Sequence, residues 1–209
     1  MNNFSLRELA DLGNDVFSDV VTTAIILVAS KSVPAPNKVI RIIKDFTEDR
    51  TQINLSDLVA NSFLIMTNIS DSGTSLMKKI IINSVLLGNE SKEMIFAVVI
   101  TKNKDEIVSE TPHDGYKPFL EGRDITSYFI RPVHQYLNYK PELLYRARTK
   151  EVFEVSEKLL VQRITVGRTP LKVAYDDNKF YNKESINNII LKDASKFTTK
   201  FILTLLNST

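Results

Sequence analysis

The chain has 209 residues, 43% hydrophobic and 25% charged, an ordinary globular composition that can bury a sizeable core. It contains no cysteine, which excludes disulfides, thiolate metal sites and a cysteine nucleophile and suits a reducing cytoplasm. Its net charge of +2 hides an asymmetry: residues 1–116 carry 11 Lys and Arg against 15 Asp and Glu, whereas residues 117–209 carry 16 against 10.

In residues 1–45, Leu6, Leu9, Ala10 and Leu12 suggest a short helix or turn. Val20–Ser30, rich in Val, Ile and Thr, reads as a buried strand, Pro34 and Pro36 as a connection, and Val39–Ile43 as a returning strand. A two-stranded hairpin is marginal alone, so this pair is expected to lie on the edge of a larger sheet. The apolar run Thr23–Ala29 is shorter than the roughly 20 residues that span a bilayer, and no basic segment precedes it, so neither membrane insertion nor a secretory signal is expected.

A linker and a helix capped by Ser56, with Asp57 at its positive end, are expected next. Asp71–Thr74 reads as a turn, and Leu76, Ile80 and Ile81 repeat at helical spacing, as one inward face would. Met94–Thr101 is a compact apolar strand followed by a turn-rich loop through Pro112, Asp114 and Gly115. The C-terminal half reads as short strands, clearest at Asp124–Arg131, Leu159–Val166 and Ile186–Leu191, with a short helix opened by Pro141 and Glu142. A last helix, capped by Asp193 or Ser195, carries Phe197, Phe201 and Leu205 as its stripe. Neither an internal repeat nor a low-complexity tract is present.

Catalytic constellations are sparse. Glu90-Ser91-Lys92 with Asp71 upstream, and Asp177-Asn178-Lys179, have partial nuclease spacing but read as exposed loop charge. His113 sits in a turn beside Asp114, and His134 is remote from it in sequence, so no metal site is expected. No glycine-rich phosphate loop or Ser–His–Asp arrangement can be drawn. DNA readout needs no rigid spacing: arginine forks onto guanine, and glutamine or asparagine pairs with adenine. Lys158, Gln162, Arg163 and Arg168 lie on and just after one predicted strand, with a bend at Gly167 needed to bring them to one side. Tyr128, Tyr136, Tyr139 and Tyr145 interleave with the basic residues of this half, which suits a nucleic acid and equally a mildly basic solvated surface. For Arg123, beside Gly122 and Asp124, a loop-holding role and a DNA contact are both open.

The stretch Lys117-Pro118-Phe119-Leu120-Glu121-Gly122-Arg123-Asp124-Ile125 resembles an element of the TaqI-like C-terminal specificity domains of type II and related adenine methyltransferases. Ser84–Val98 with Gly88, Glu157–Arg163 and Leu205-Leu206-Asn207-Ser208 resemble three further elements in the family's order, so the resemblance covers about residues 53–209. Val85-Leu86-Leu87 departs from the family, which often has a glycine there. Asp11-Leu12-Gly13, Val16-Phe17 and Thr22–Leu27 resemble the last strands of the family's catalytic domain, and both chain ends suggest a fragment of a longer parent.

The resemblance implies an α+β fold: a mixed-sheet target-recognition domain with short helices over residues 46–209. A β-hairpin left from a methyltransferase sheet would precede it over residues 1–45. It implies a sequence-specific DNA recognition module that orients double-stranded DNA to an adenine-N6 methyltransferase domain of the same polypeptide, with Lys117, Arg123, Lys158, Gln162, Arg163 and Arg168 as DNA contacts. S-adenosylmethionine is implied for that parent, and a fused endonuclease is left open. The chain itself has neither the glycine-rich cofactor loop nor an N/D-P-P-Y/F motif, so no catalysis is expected of it alone. The competing reading is a protein-interaction scaffold within a phage-defence complex.

Overall fold

The computed structural model describes residues 4–13, 16–18, 23–33, 35, 37–44, 50–56, 71–102, 104–165 and 171–208. The fold is α+β and divides into two compact units, residues 1–84 and 85–209.

The first unit holds strands β1 (Ser5–Asp11), β2 (Ile25–Ser30), β3 (Val39–Lys44) and β4 (Arg50–Asn54), arranged β2-β1-β3-β4. β1 runs antiparallel to β2 and parallel to β3, and β4 closes antiparallel on β3. Two expectations are corrected. Leu6, Leu9 and Ala10 lie on a strand, because a register shift between Leu6 and Glu8 breaks the two-residue alternation and produces a spacing that mimics a helix. The two later strands form no hairpin with each other, because β1 inserts between them. Ile40 and Ile42 of β3, with Leu9 and Ala10 of β1, supply the buried side chains, and Glu8 bonds Arg41 across the parallel pair at 2.8 Å. β2 is an edge strand that exposes Ile25, Ile26, Leu27 and Val28 in succession, not the buried strand expected.

Helix α1 (Asp71–Ile82) begins at the residues read as a turn. Its period is the expected one, but Leu76 and Ile80 are exposed, since no described element of its unit covers them. The Ser56-capped helix falls largely on residues 57–70, outside the described residues.

The second unit is built on an antiparallel sheet of β5 (Ser91–Phe96), β9 (Lys158–Gln162), β10 (Val173–Asp176) and β12 (Ile186–Leu191), in the order β10-β9-β12-β5. A smaller sheet orders β11 (Tyr181–Asn182), β7 (Lys117–Leu120), β8 (Tyr136–Leu137) and β6 (Val108–Ser109). Three short helices, α2 (Leu87–Glu90), α3 (Lys104–Ile107) and α4 (Glu151–Glu154), decorate the sheets. The longer α5 (Thr199–Asn207) lies over β9 and β10. Pro141–Leu143 forms a single 3-10 turn where a short helix was expected.

Phe119, Leu137, Phe153 and Tyr181 form the centre of one core cluster, with Phe153 and Tyr181 stacked at 4.3 Å. β9 is buried on both sides: Leu160 packs with Leu120, Ile125, Ala174 and Ile186, while Leu159 and Val161 pack with Val173, Ile189 and Ile202. That is why β9 reads as a continuous apolar run. It ends at Gln162, short of the expected Val166. Asp124–Arg131 is not a strand: a 3-10 turn over Gly122–Asp124 leads into a tight hairpin with Ile125 bridged to Ile130. The cap of α5 is Thr198, whose side chain accepts from the Phe201 N–H at 3.2 Å. Ser195 is committed elsewhere, donating to Glu90 at 2.9 Å.

Lys158 is fully buried, which overturns its assignment as a DNA contact. Its ammonium pairs with the equally buried Asp176 and donates to the Phe153 carbonyl at 2.7 Å. Asp176 also accepts the backbone N–H groups of Asn178 and Phe180. Burial holds Lys158 below the ordinary lysine pKa, partly offset by Asp176. Lys158→Ala is expected to lower stability by about 3–5 kcal/mol, because it leaves Asp176 charged and unpaired in the core. A urea titration of the full chain reads this, and a surface lysine would move the result by no more than about 0.5 kcal/mol.

Candidate nucleic-acid interface

The motif Lys117–Ile125 builds a staple. Phe119 and Leu120 enter the core from β7, and Ile125 follows them after the turn. Within the turn, Asp124 is buried and its carboxylate accepts the Glu121 N–H at 2.8 Å, completing a capping box. Gly122 lies against Ser185: its N–H donates to Ser185 Oγ at 2.9 Å, and a Cβ there would stand 3.0 Å from the Ser185 carbonyl oxygen. Glu121 is surrounded by Arg123 at 3.2 Å, Lys183 at 3.5 Å and Lys104 at 3.6 Å. Burial raises its pKa, but these three cations together outweigh burial and hold it below the ordinary glutamate value.

Ser185 also sets the neighbouring strand end. Its carbonyl accepts the Arg163 N–H at 2.9 Å, just past the end of β9. There the side chain of Arg163 stands 5.5 Å from the centre of the Phe96 ring, at the end of β5. Two further guanidiniums share that ring, Arg148 at 4.6 Å and Arg146 at 5.5 Å. Arg148 is oriented by an Nε bond to the Phe96 carbonyl at 3.0 Å, and its own carbonyl accepts the hydroxyl of Tyr139. Val99 pairs with Arg146 in an isolated bridge and holds this segment beside β5.

Each ring contact contributes about 0.5–1 kcal/mol at an exposed site. Among the described residues, none of the three arginines forms an ion pair with a carboxylate. Arg163 reaches the backbone carbonyl of Glu184 at 3.5 Å instead. Three like charges around one ring repel one another, and a bound anion would relieve that repulsion.

The structure distributes the residues expected as contacts. Arg163 joins the cluster. Arg123 is exposed but shared between Glu121 and His134, each at 3.2 Å. Lys117 reaches Glu154 at 3.9 Å. Gln162 is half-buried, with its side-chain oxygen turned inward and unpartnered. Arg168 and Gly167 lie outside the described residues. Lys158 and Arg163 do not form one exposed face, because β9 is the covered interior of the sheet and only its end reaches solvent.

Arg146, Arg148 and Phe96 were missed. The available signal was Arg146-Ala147-Arg148 after Tyr145, two cations at the spacing that puts alternate side chains of an extended segment on one side. The triplets with nuclease spacing are structural: Glu90 accepts from Ser195 and the Lys196 N–H, and Asp177 accepts from Asn178. His113 bonds Ser109 and Thr111 in an exposed turn. Among the described residues, no group of three metal-ligating side chains is assembled.

A family model matches the second unit over most of its length. The model of the TaqI-like C-terminal specificity domain matches residues 117–209. The match starts at Lys117, so Phe96 and the Ser84–Val98 segment lie outside it, while all three arginines and the staple lie inside. No curated protein matches the chain. Among the described residues, no helix is long and apolar enough to cross a membrane.

Gly122→Ala is expected to destabilise the second unit by about 1–3 kcal/mol, because the new methyl group meets backbone atoms of Ser185. A urea midpoint for this variant at or above that of the parent chain would show that the close approach to Ser185 is not a constraint.

Proposed function

We propose that the chain recognises double-stranded DNA for a restriction–modification methyltransferase acting on adenine N6. Its specificity domain would orient the duplex to a catalytic domain of the same polypeptide in the cytoplasm. The observation that carries this reading is the arginine cluster, with Arg146, Arg148 and Arg163 gathered around Phe96 and without a carboxylate partner among the described residues. Guanidinium groups hold phosphate oxygens bidentately and fork onto guanine. Arg123 and Lys117, at the two ends of the staple, and Gln162 and Arg168, flanking Arg163, are supporting contacts in this proposal. The exposed Ile25–Val28 edge supports a catalytic domain packed against the first unit.

Binding of the full chain to a labelled duplex should weaken steeply with salt. Alanine at Arg146 or Arg163 should flatten that slope by about one unit each if the residue holds a phosphate. Unchanged affinity and slope in both variants would defeat the reading. Salt-insensitive association with a protein, without DNA affinity, would favour the scaffold alternative.

In this reading S-adenosylmethionine is held by the catalytic domain. The chain has no G-x-G loop and no paired prolines with which to build an N/D-P-P-Y/F motif. Calorimetry of the chain with S-adenosylmethionine is therefore expected to show no stoichiometric binding, and a one-to-one isotherm would overturn the assignment.

A further inference from the structure

The hairpin after the staple plays no part in the arginine cluster, and its construction is unusual. Thr126 donates both its N–H, at 3.0 Å, and its hydroxyl, at 2.9 Å, to the carbonyl of Phe129. Tyr128 adopts a φ of 72°, a left-handed conformation that is costly for a bulky side chain. Its N–H donates to the Val173 carbonyl at 2.8 Å and pins the tip to the edge of β10. The stem is anchored by the buried Asp124 and Ile125. The tip is therefore rigid, yet it holds Phe129 72% exposed beside the exposed Tyr128. Fully burying a phenylalanine would contribute roughly 1.5–3 kcal/mol. A strained turn that keeps one in solvent is not explained by the stability of the fold.

Cations flank the stem. The Asp124 carbonyl accepts the Arg131 N–H at 2.9 Å, which sets Arg131 across from the turn that carries Arg123. Both side chains are exposed, and among the described residues Arg131 forms no ion pair. Tyr128, Phe129, Arg131, Tyr175 and Phe180 line a shallow cavity of about 390 Å³. Ser185 joins the stem to the arginine cluster, holding Gly122 with its hydroxyl and Arg163 with its carbonyl. Through Ser185 the turn that precedes the hairpin is thus tied to the strand end that carries Arg163.

We infer that the Ile125–Ile130 hairpin is a DNA-reading finger: Arg123 and Arg131 brace the sugar–phosphate backbone, and Phe129 makes an apolar contact with the bases. This assignment rests on the DNA-recognition reading above and adds a specificity-determining residue to it. A base presents an apolar face or a thymine methyl group to such a side chain, and the phosphates on either side match the two arginines.

The test uses the full chain and a library of randomised duplexes at low salt, followed by anisotropy on the enriched duplex and on a scrambled one. Phe129→Ala should leave the scrambled duplex bound as before, with the same salt slope, and weaken the enriched one about tenfold. Phe129→Leu, which keeps an apolar tip, should retain most of the preference. Arg131→Ala should instead flatten the salt slope on both duplexes by about one unit. An unchanged urea midpoint for Phe129→Ala is expected from its exposure. If the parent chain enriches a sequence and Phe129→Ala enriches the same one with equal affinity, the finger is wrong while the DNA-recognition reading stands. DNA binding by the parent chain without any sequence preference also overturns the finger. If the parent chain binds no duplex at low salt, both readings fall.

Discussion

A buried ion pair sits at the junction of the second unit, and much of the unit's geometry runs through it. Lys158 opens β9, Asp176 ends β10, and the lysine also donates to one carbonyl of α4, that of Phe153. Asp176 in turn closes the tight turn that leads to Phe180 and β11. A pair of charges removed from water is costly to assemble and still more costly to break, so it contributes little net stability. What it enforces is register: the ends of β9, β10 and α4 must meet for either charge to be satisfied. Phe153 and Tyr181, on the two arms of this junction, then stack in the core.

The staple is the second constraint, and it acts on the candidate interface through backbone rather than charge. Asp124 closes its own turn, Gly122 permits the approach of Ser185, and Ser185 holds Arg163 at the end of β9. A motif that looks like a set of DNA contacts is thus largely a device for placing another arginine. Glu121 shows the contrast. Around it three cations share one partly buried carboxylate, whereas among the described residues the three guanidiniums around Phe96 meet an aromatic ring and carbonyl groups but no carboxylate. The first arrangement stabilises the loop. The second carries like-charge repulsion that a bound anion would relieve.

The first unit poses a different problem. Its sheet buries Ile40 and Ile42 but, among the described residues, leaves β2 with an unpaired edge and four consecutive exposed apolar side chains. Natural edges are usually blunted by charge, proline or a bulge, and the middle of this one carries none of these. Among the described residues, the pairing of β1 with β2 departs from regularity between Leu6 and Glu8.

Local chemistry was legible where it is self-contained. The α+β class follows from the resemblance, and the strands at Ile186–Leu191 and near Leu159 and the period of α1 follow from patterning that neighbouring residues dictate. The resemblance carried by Lys117–Ile125 and Leu205–Ser208 falls in the matched family domain. Tertiary structure decided everything that depends on which side of a chain is covered. Lys158 looked like a surface cation because a lysine on an apolar strand gives no sign of the aspartate 18 positions later that pairs with it. Leu6, Leu9 and Ala10 looked helical because a bulge cannot be seen without its partner strand. Phe96, Arg146, Arg148 and Arg163 come from three separate stretches and meet only because β5 and β9 flank β12. Sequence sets the charge and the period of each segment, but a cluster of like charges is a property of the packing that brings the segments together.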